Sequence, residues 1–285
     1  MEEEKLETKI TQAYFKYGVE KAASELAEQV LDFTVETGAS GGVIGLSGGI
    51  DSTTVAYLTK YAFDSYNKAN PDNEKLVLYG ISMPSKLNPN EDEDDAKYVA
   101  EKLGIEYKII PIQPMAYVFI EQIPEELGNK FDVSNLYSEL RAVVLSRFAG
   151  SKNLRVMGTG NHDEDYVLGY FTKRGDGAVD NNILGNLPKR LVRELAEFLG
   201  VPKRLVKRIP TAGLEEGQTD EKDLGMNYEQ AEIIQRGYDL GMTAKDIQKR
   251  TGYDLSIILK EKQLHESTKH KRNLPPVGNV TLEYK

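Results

Sequence analysis

The sequence predicts an α/β fold in which helices flank a parallel sheet, followed by a helical C-terminal portion. Short apolar runs alternate with segments of helical periodicity in the first half of the chain, the first run ends in a glycine-rich turn, and every periodic segment after residue 188 is helical. Such alternation is typical of parallel sheets, because each parallel connection needs a crossover. The length is compatible with one large domain or two small ones, and we expect a single domain over residues 1–285.

The chain begins with a region of helical periodicity over about residues 1–37. Apolar residues recur at three- and four-residue steps from Leu6 to Phe33, which predicts one or two amphipathic helices. Glycines from position 38 onward end this pattern. The following run, GVIGLS at 42–47, is short and apolar and predicts the first buried strand.

The other elements are predicted from the same two patterns, short apolar runs and helical periodicity. Short apolar runs between polar turns predict strands, and longer segments with apolar residues three or four apart predict helices. In order they are a helix from Ile50 to about Tyr66, a strand Lys75–Ser82, a helix Glu91–Leu103, a strand Ile105–Ile110, a helix near Asn135–Phe148, a strand Leu154–Met157, and helices at Lys189–Leu199, Tyr228–Tyr238 and from Ala244 onward. Residues 226–285 form the predicted helical C-terminal part, and Ile209–Gly225 is predicted to be a long functional or mobile loop.

Charge and composition exclude several classes of function. The chain has 45 acidic and 36 basic residues, a net charge of −9, which argues against nucleic acid as its main partner. It has no cysteine, which removes disulfides, thiolate metal sites and cysteine nucleophiles. The acidic start is unlike a secretory signal, and no apolar run reaches the roughly 20 residues of a membrane span. We expect a cytoplasmic enzyme without a membrane partner.

The turn Ser47–Thr53, SGGIDST, carries the clearest chemical signal and is called the glycine-rich loop below. Between a strand and a helix, backbone N–H groups and the positive end of the helix dipole bind anions. Two glycines permit close approach, three hydroxyls add donors, and Asp51 offers a carboxylate to a magnesium ion. The common nucleoside-triphosphate loop ends in Gly-Lys-Ser/Thr, which is missing here. An ordinary N-capped turn accounts for only one glycine and one hydroxyl.

The glycine-rich loop resembles the pyrophosphate loop of the N-type ATP pyrophosphatases, and VIGLSGGIDSTTVAYL at 43–58 resembles the NAD synthetases in particular. Further strings match the ammonia-dependent NAD synthetases in order: ISMPS at Ile81–Ser85, GTGN at Gly158–Asn161, LGYFTKRGDGAVD at Leu168–Asp180, PTAGL at Pro210–Leu214, GQTDEKDLG at Gly217–Gly225 and KHKR at Lys269–Arg272. The resemblance implies an adenine nucleotide alpha hydrolase-like, Rossmann-like fold and a homodimer. It also implies amidation of deamido-NAD by ammonia through an acyl adenylate, with ATP as co-substrate and AMP and pyrophosphate as products.

The resemblance assigns roles to individual residues. The implied ATP-binding residues are Gly45, Leu46, Ser47, Gly48, Gly49, Ile50, Asp51, Ser52, Thr159, Lys189 and Thr211. Asp51 and Glu164 would bind Mg²⁺. The dinucleotide would be contacted by Arg141, Lys173, Asp180, His270 and Lys271. Asp176 would receive ammonia, because a carboxylate in a desolvated turn can position ammonium and accept its proton. The implied catalytic set is Asp51, Lys173, Asp176 and Lys189.

Two departures from the family pattern leave alternatives open. Relatives usually carry Arg-x-Arg where this chain has Glu139 and Arg141, and an anion there would repel the phosphates or carboxylate of the substrate. The same chemistry on nicotinic acid mononucleotide or another carboxylate is therefore an alternative, as is a non-catalytic ATP-binding module. The segment between GTGN and LGYFTK is one residue longer than usual. Counting back from Lys173 makes Asp165 the metal ligand, whereas forward register and residue type favour Glu164.

The nitrogen source follows from composition. Glutaminase domains attached to such synthetases attack glutamine with a cysteine, and this chain has none. We therefore expect no glutaminase domain in this chain and a supply of free ammonia, or of ammonia from a separate partner.

Overall fold

A parallel sheet forms the centre of the molecule. The computed structural model describes residues 10–86, 88, 90–208 and 220–283. Its strands are β1 (Gly41–Gly45), β2 (Val77–Ser82), β3 (Glu106–Ile109) and β4 (Arg155–Val156). They lie in the order β3-β2-β1-β4, and all three pairings are parallel. The chain moves outward from β1 to β3 and then returns to the other side of β1, which makes the β1–β4 junction a topological switch point.

Helices cover both faces of this sheet, and the predicted α/β class is confirmed. The helices are α1 (Val19–Glu36), α2 (Ile50–Ala69), α3 (Asn90–Leu103), α4 (Gln113–Gln122), α5 (Lys130–Lys152), a π-helix (His162–Leu168), α6 (Lys189–Phe198), α7 (Lys203–Val206), α8 (Asp220–Leu224), α9 (Tyr228–Asp239), α10 (Ala244–Thr251), α11 (Leu255–Ser267) and α12 (Lys269–Arg272). Among the described residues, none of these helices is long and apolar enough to cross a membrane.

Two apolar cores lie on opposite faces of β1. Ile44 packs with α1, α2 and α6, whereas its neighbour Val43 packs with α5. Side chains alternate between the faces of a strand, and both faces are covered here, so both residues are fully buried. This double coverage explains the continuous apolar run in the sequence. The first half of α2 is enclosed in the same way, because every residue from Ser52 to Thr59 is buried.

The C-terminal helices form a smaller core that packs on the π-helix. Ile234, Ile247 and Ile258, from three successive helices, form its centre together with Ile10. Glu261 of α11 is also fully buried, with 0% exposure, and neither of its carboxylate oxygens has a hydrogen-bond partner in the described part of the chain. Burial raises the pKa of Glu261 to about 8.

Two local predictions are corrected by the structure and one helix has no counterpart among the predictions, and packing explains each case. Helical periodicity was expected from the first residues, but the described segment before Val19 is not helical, and Ile10 is apolar because it packs on the C-terminal core. The end of the predicted loop 209–225 is helical in α8, because Leu224 packs with Val167 and Tyr228, whereas residues 209–219 lie outside the described residues. Helix α4 was missed, since Ala116 is its one buried residue.

Candidate active site

A cavity of about 840 Å³ opens at the carboxyl ends of the strands, beside the topological switch point. The loops that follow β1, β2 and β4 form its floor, and α5, the π-helix and the C-terminal helices form its walls. Among the residues predicted for the site, its lining includes Gly45, Leu46, Ser47, Gly49, Ile50, Asp51, Arg141, Thr159, Glu164, Asp176, Lys189 and Lys271. The cavity therefore brings together residues that are far apart in sequence.

The glycine-rich loop presents backbone donors to this cavity. Its hydroxyls are fixed from within, because the Oγ atoms of Ser47 and Ser52 are 3.0 Å apart and the Gly49 N–H donates to Ser47 Oγ at 3.2 Å. Gly48 has φ +74°, a left-handed conformation that favours glycine. No described side chain caps α2 at Gly49. The exposed N–H groups of the first turn of α2 can therefore bind an anion.

Lys189 lies between two carboxylates beside this loop. Its Nζ is 2.5 Å from Asp51 Oδ2 and 2.7 Å from Glu164 Oε1, and the residue is only 3% exposed. Lys189 begins α6, where its backbone N–H donates to Asp163 Oδ2 at 2.8 Å. Burial alone would lower the pKa of Lys189, but the two carboxylates outweigh it and raise that pKa above its ordinary value. The two carboxylates therefore favour the charged form of the lysine.

The same burial affects the two carboxylates differently. Burial raises the pKa of Asp51 and outweighs the attraction of Lys189. Burial would also raise the pKa of Glu164, but there the attraction of Lys189 wins and lowers it. At both carboxylates the attraction of Lys189 thus opposes the effect of burial.

The π-helix places Glu164, rather than Asp165, in the cavity. The Asn161 side chain begins this helix by accepting from the N–H groups of Asp163 and Glu164, both at 3.1 Å. Asp165 instead points to Asn182, whose Nδ2 lies 2.7 Å from its Oδ2, and burial raises the pKa of Asp165 to about 7. A turn closed by i→i+5 bonds holds one residue more than an α-turn, as the longer segment expected from the sequence would require.

Tyr228 completes the surroundings of Glu164 and was not identified from the sequence. Its hydroxyl lies 3.1 Å from Glu164 Oε1 and 2.7 Å from Asp220 Oδ2, and Lys189 Nζ lies 5.4 Å from the centre of its ring. The only sequence signal was its position three residues after the end of the GQTDEKDLG string.

Asp176 and Arg141 also line the cavity. Asp176 Oδ1 accepts from Ser138 Oγ at 2.6 Å and from the Thr172 N–H at 2.9 Å. Burial raises the pKa of Asp176. The Arg141 guanidinium donates to Asn88 Oδ1 at 2.9 Å, and burial lowers the pKa of Arg141. The lining of the cavity thus includes a further carboxyl group and a further cation.

Other predicted substrate residues have local contacts. Lys173 Nζ donates to the carbonyl oxygens of His270 and Asn273 at 2.7 and 2.6 Å, which joins its loop to the C-terminal segment. Asp180 Oδ2 accepts from the Val156 N–H at 2.7 Å. In the described part of the chain, Lys173, Asp180 and His270 are not among the cavity-lining residues.

The remaining predicted positions belong to the glycine-rich loop, to the C-terminal segment and to the residues outside the described part of the chain. Gly48 and Ser52 lie behind the cavity-facing surface of the glycine-rich loop, and Lys271 Nζ donates to the carbonyl oxygens of Gly169 and Phe171 at 2.9 and 2.7 Å. Thr211 falls outside the described residues.

Comparison with known proteins identifies the family. The NAD synthase family model matches residues 22–275. The chain belongs to the NAD synthase family. This member is 43% identical over 252 residues to the NH(3)-dependent NAD(+) synthetase of Pyrococcus horikoshii, covering 88% of this chain and 93% of that protein. It is 38% identical over 264 residues to the enzyme of the same name from Methanocaldococcus jannaschii, covering 92% and 98%.

Solved structures of NAD synthase relatives have the same fold. The structure of NMN synthetase from Francisella tularensis matches with a TM-score of 0.79 and 31% identity, over 92% of this chain and 99% of that one. The NH3-dependent NAD synthetase from Campylobacter jejuni matches with a TM-score of 0.73 and 25% identity, over 92% and 100%.

Proposed function

We propose that this protein is an ammonia-dependent NAD synthetase, a ligase that forms a C–N bond. It amidates deamido-NAD with ammonia through an acyl adenylate and converts ATP to AMP and pyrophosphate. The observation that carries the proposal is the pairing of an uncapped glycine-rich loop with the buried Lys189, which is held by Asp51 and Glu164. The family and its ammonia-dependent relatives support the same reaction.

In the first half-reaction the carboxylate of deamido-NAD attacks the α-phosphorus of ATP. The backbone N–H groups and hydroxyls of the glycine-rich loop bind the two outer phosphates, and Lys189 supplies a cation beside them. These donors stabilise the transition state if they bind more strongly as negative charge builds on the leaving pyrophosphate. A carboxylate is a poor electrophile, and the acyl adenylate overcomes this because AMP is a good leaving group.

The donor set fits a magnesium ion. The oxygens of Asp51 and Glu164 already converge on one cationic atom, Lys189 Nζ, and carboxylate oxygens are the ligands that Mg²⁺ prefers. In the described residues no group of three or more His, Cys, Asp or Glu could hold a metal, so phosphate oxygens or water would supply the remaining ligands. When bound, the ion would neutralise charge on pyrophosphate.

In the second half-reaction ammonia attacks the acyl carbon and AMP leaves. Asp176 is the proposed group that positions ammonium and accepts its proton. Two donors, Ser138 Oγ and the Thr172 N–H, fix its carboxylate at the cavity wall. The raised pKa of Asp176 makes it a better proton acceptor than an ordinary aspartate.

The protein is proposed to act as a homodimer in the cytoplasm. Helices α4 and α5 carry several exposed large apolar side chains, which supports association because exposed apolar surface often marks an interaction site. These side chains include Tyr117, Val118, Phe119, Phe131 and Val143. The absence of cysteine is compatible with a reducing compartment.

A second candidate is the same chemistry on nicotinic acid mononucleotide. The observation that favours it is the similarity to the NMN synthetase structure. The sequence argument from Glu139 gains no support, since among the described residues Glu139 is not one that lines the cavity, although Ser138 and Arg141 of the same helix are.

Product analysis tests the proposal. Purified protein is incubated with ATP, Mg²⁺, ammonium and either deamido-NAD or nicotinic acid mononucleotide, and nucleotides are separated chromatographically. We expect AMP and NAD in equal amounts, dependent on both acceptor and ammonium. Formation of ADP and orthophosphate would refute the reaction, and faster turnover of the mononucleotide would establish the second candidate. Glutamine in place of ammonium serves as the control and should give no product.

A further inference from the structure

Arg208 joins three parts of the molecule at the edge of the cavity. Its Nη1 donates to the carbonyl oxygen of Gly48 at 3.2 Å and to Asp95 Oδ2 at 3.1 Å, and its Nη2 contacts the carboxylate of Asp92. Asp92 and Asp95 belong to α3, whereas Gly48 belongs to the glycine-rich loop. The guanidinium thus ties the loop to the first turns of α3.

The loop also rests directly on α3. A Cβ atom at Gly48 would lie 2.6 Å from the carbonyl oxygen of Asp92, so the two backbones are in contact. This close approach leaves the loop little freedom on its α3 side. The Arg208 contact restrains it in a second direction.

The hydrogen bond to the Gly48 carbonyl fixes the orientation of the peptide unit between Gly48 and Gly49. In a trans peptide unit the C=O and the following N–H point in opposite directions. The carbonyl of Gly48 accepts from Arg208, and the N–H of the same peptide unit, that of Gly49, donates to Ser47 Oγ. Ser47 and Gly49 both line the cavity. Holding the carbonyl therefore fixes the orientation of the peptide and hydroxyl that face the phosphates.

We propose that Arg208 is a positioning residue for ATP, which orients the glycine-rich loop through the Gly48 carbonyl. The proposal rests on the proposed function, because it takes the loop to be the phosphate site. Arg208 acts through the loop rather than on phosphate, since two carboxylates already balance its charge together with that of Arg204.

Arg204 offers a matched control. It also pairs with Asp95, but its side chain is 53% exposed, against 23% for Arg208. In the structure as described, Arg204 does not line the cavity and its hydrogen bond goes to Asp95 rather than to the loop. Replacing Arg204 perturbs the same ion-pair network without touching the loop.

The test measures ATP binding by calorimetry, KM for ATP and for the acceptor, and thermal unfolding. We expect R208Q and D92N each to weaken ATP binding and raise its KM about tenfold, the effect of losing one charge-assisted hydrogen bond, while the acceptor KM stays unchanged. R204Q should behave as the wild type. R208K should not recover ATP binding, because an ammonium cannot replace the planar fork that contacts all three groups.

The outcomes separate positioning from direct phosphate binding. A lysine that restored ATP affinity would show that Arg208 supplies only a charge, and D92N would then tighten ATP binding by freeing the guanidinium. Either result overturns the proposal, as does a loss in R204Q equal to that in R208Q. If R208Q does not fold, ATP binding by D92N and R208K still distinguishes positioning of the loop from direct phosphate binding. Wild-type product formation tests the proposed function separately, and ATP affinity can be measured whatever the acceptor.

Discussion

Replacement of Glu261 by glutamine should remove a loss of folding stability that the C-terminal core undergoes as the pH rises. The pKa of this buried carboxyl rises from 4.5 to about 8, mainly through burial, with a further increase from Asp239 and Glu266 and an opposing effect of Arg272. Tyr238 of α9 faces it as well. Because the folded protein holds this proton more tightly than the unfolded chain, the stabilising contribution is fully present below about pH 4.5 and is lost as the pH rises through about 8.

The size of this change in unfolding free energy follows from the raised pKa of Glu261. Between the pKa of 4.5 in the unfolded chain and that of about 8 in the folded protein, the free energy of unfolding falls by up to about 1.4 kcal/mol per pH unit. The fall amounts to about 3 kcal/mol between pH 5 and pH 8. Glutamine does not titrate, so the stability of E261Q minus that of the wild type should increase by this amount over the same interval. Urea unfolding followed by circular dichroism at several pH values measures the difference directly.

The exposed Glu266 of the same helix provides the control. Its carboxylate is 66% exposed and lies 3.7 Å from Lys262. E266Q should therefore change the unfolding free energy by well under about 1 kcal/mol at any of these pH values. If the curves for E261Q and the wild type run parallel from pH 5 to pH 8, Glu261 does not carry the buried proton and the reasoning is wrong.

Three further predictions concern the active site. D51A should nearly abolish pyrophosphate release without unfolding the protein; near-normal release would contradict the role of Asp51. G48A should destabilise the fold by about 1–3 kcal/mol and raise the KM for ATP, because of the left-handed backbone and the Asp92 carbonyl, as thermal unfolding and kinetics would reveal. Y228F keeps the ring but removes the hydroxyl that contacts Glu164 and Asp220, so kcat should fall several-fold and the melting temperature should drop; unchanged kcat would show that the hydroxyl is dispensable for the reaction.

The sequence predicts the sheet and the glycine-rich loop well because both depend on local signals. Val43 and Ile44 face opposite cores, so a short run that is apolar at every position could only be a strand covered on both sides. Two glycines and several hydroxyls between that strand and a helix fixed the place of the loop. The family assignment is confirmed as well.

The elements that the sequence could not predict depend on distant contacts. Most apolar residues of helix α4 are exposed, so its sequence lacks the three- and four-residue spacing of apolar positions that marks a buried helix face. Tyr228 reaches Glu164 across 64 positions in the chain, which no spacing rule detects. Asp165 and Glu164 are neighbours in sequence, and only the π-helix determines which of them faces Lys189.

The enclosed first half of α2 limits where this family can vary. Any change there would have to be absorbed by packed neighbours on every side, at a cost that grows with each methylene added or removed. In the outer walls, by contrast, several cavity-lining positions are exposed and carry no such restriction, among them Phe131 and Asn135 of α5 and Lys260 of α11. New acceptors are therefore expected to be accommodated by redesigning those walls, while the nucleotide end of the cleft stays the same from one relative to the next.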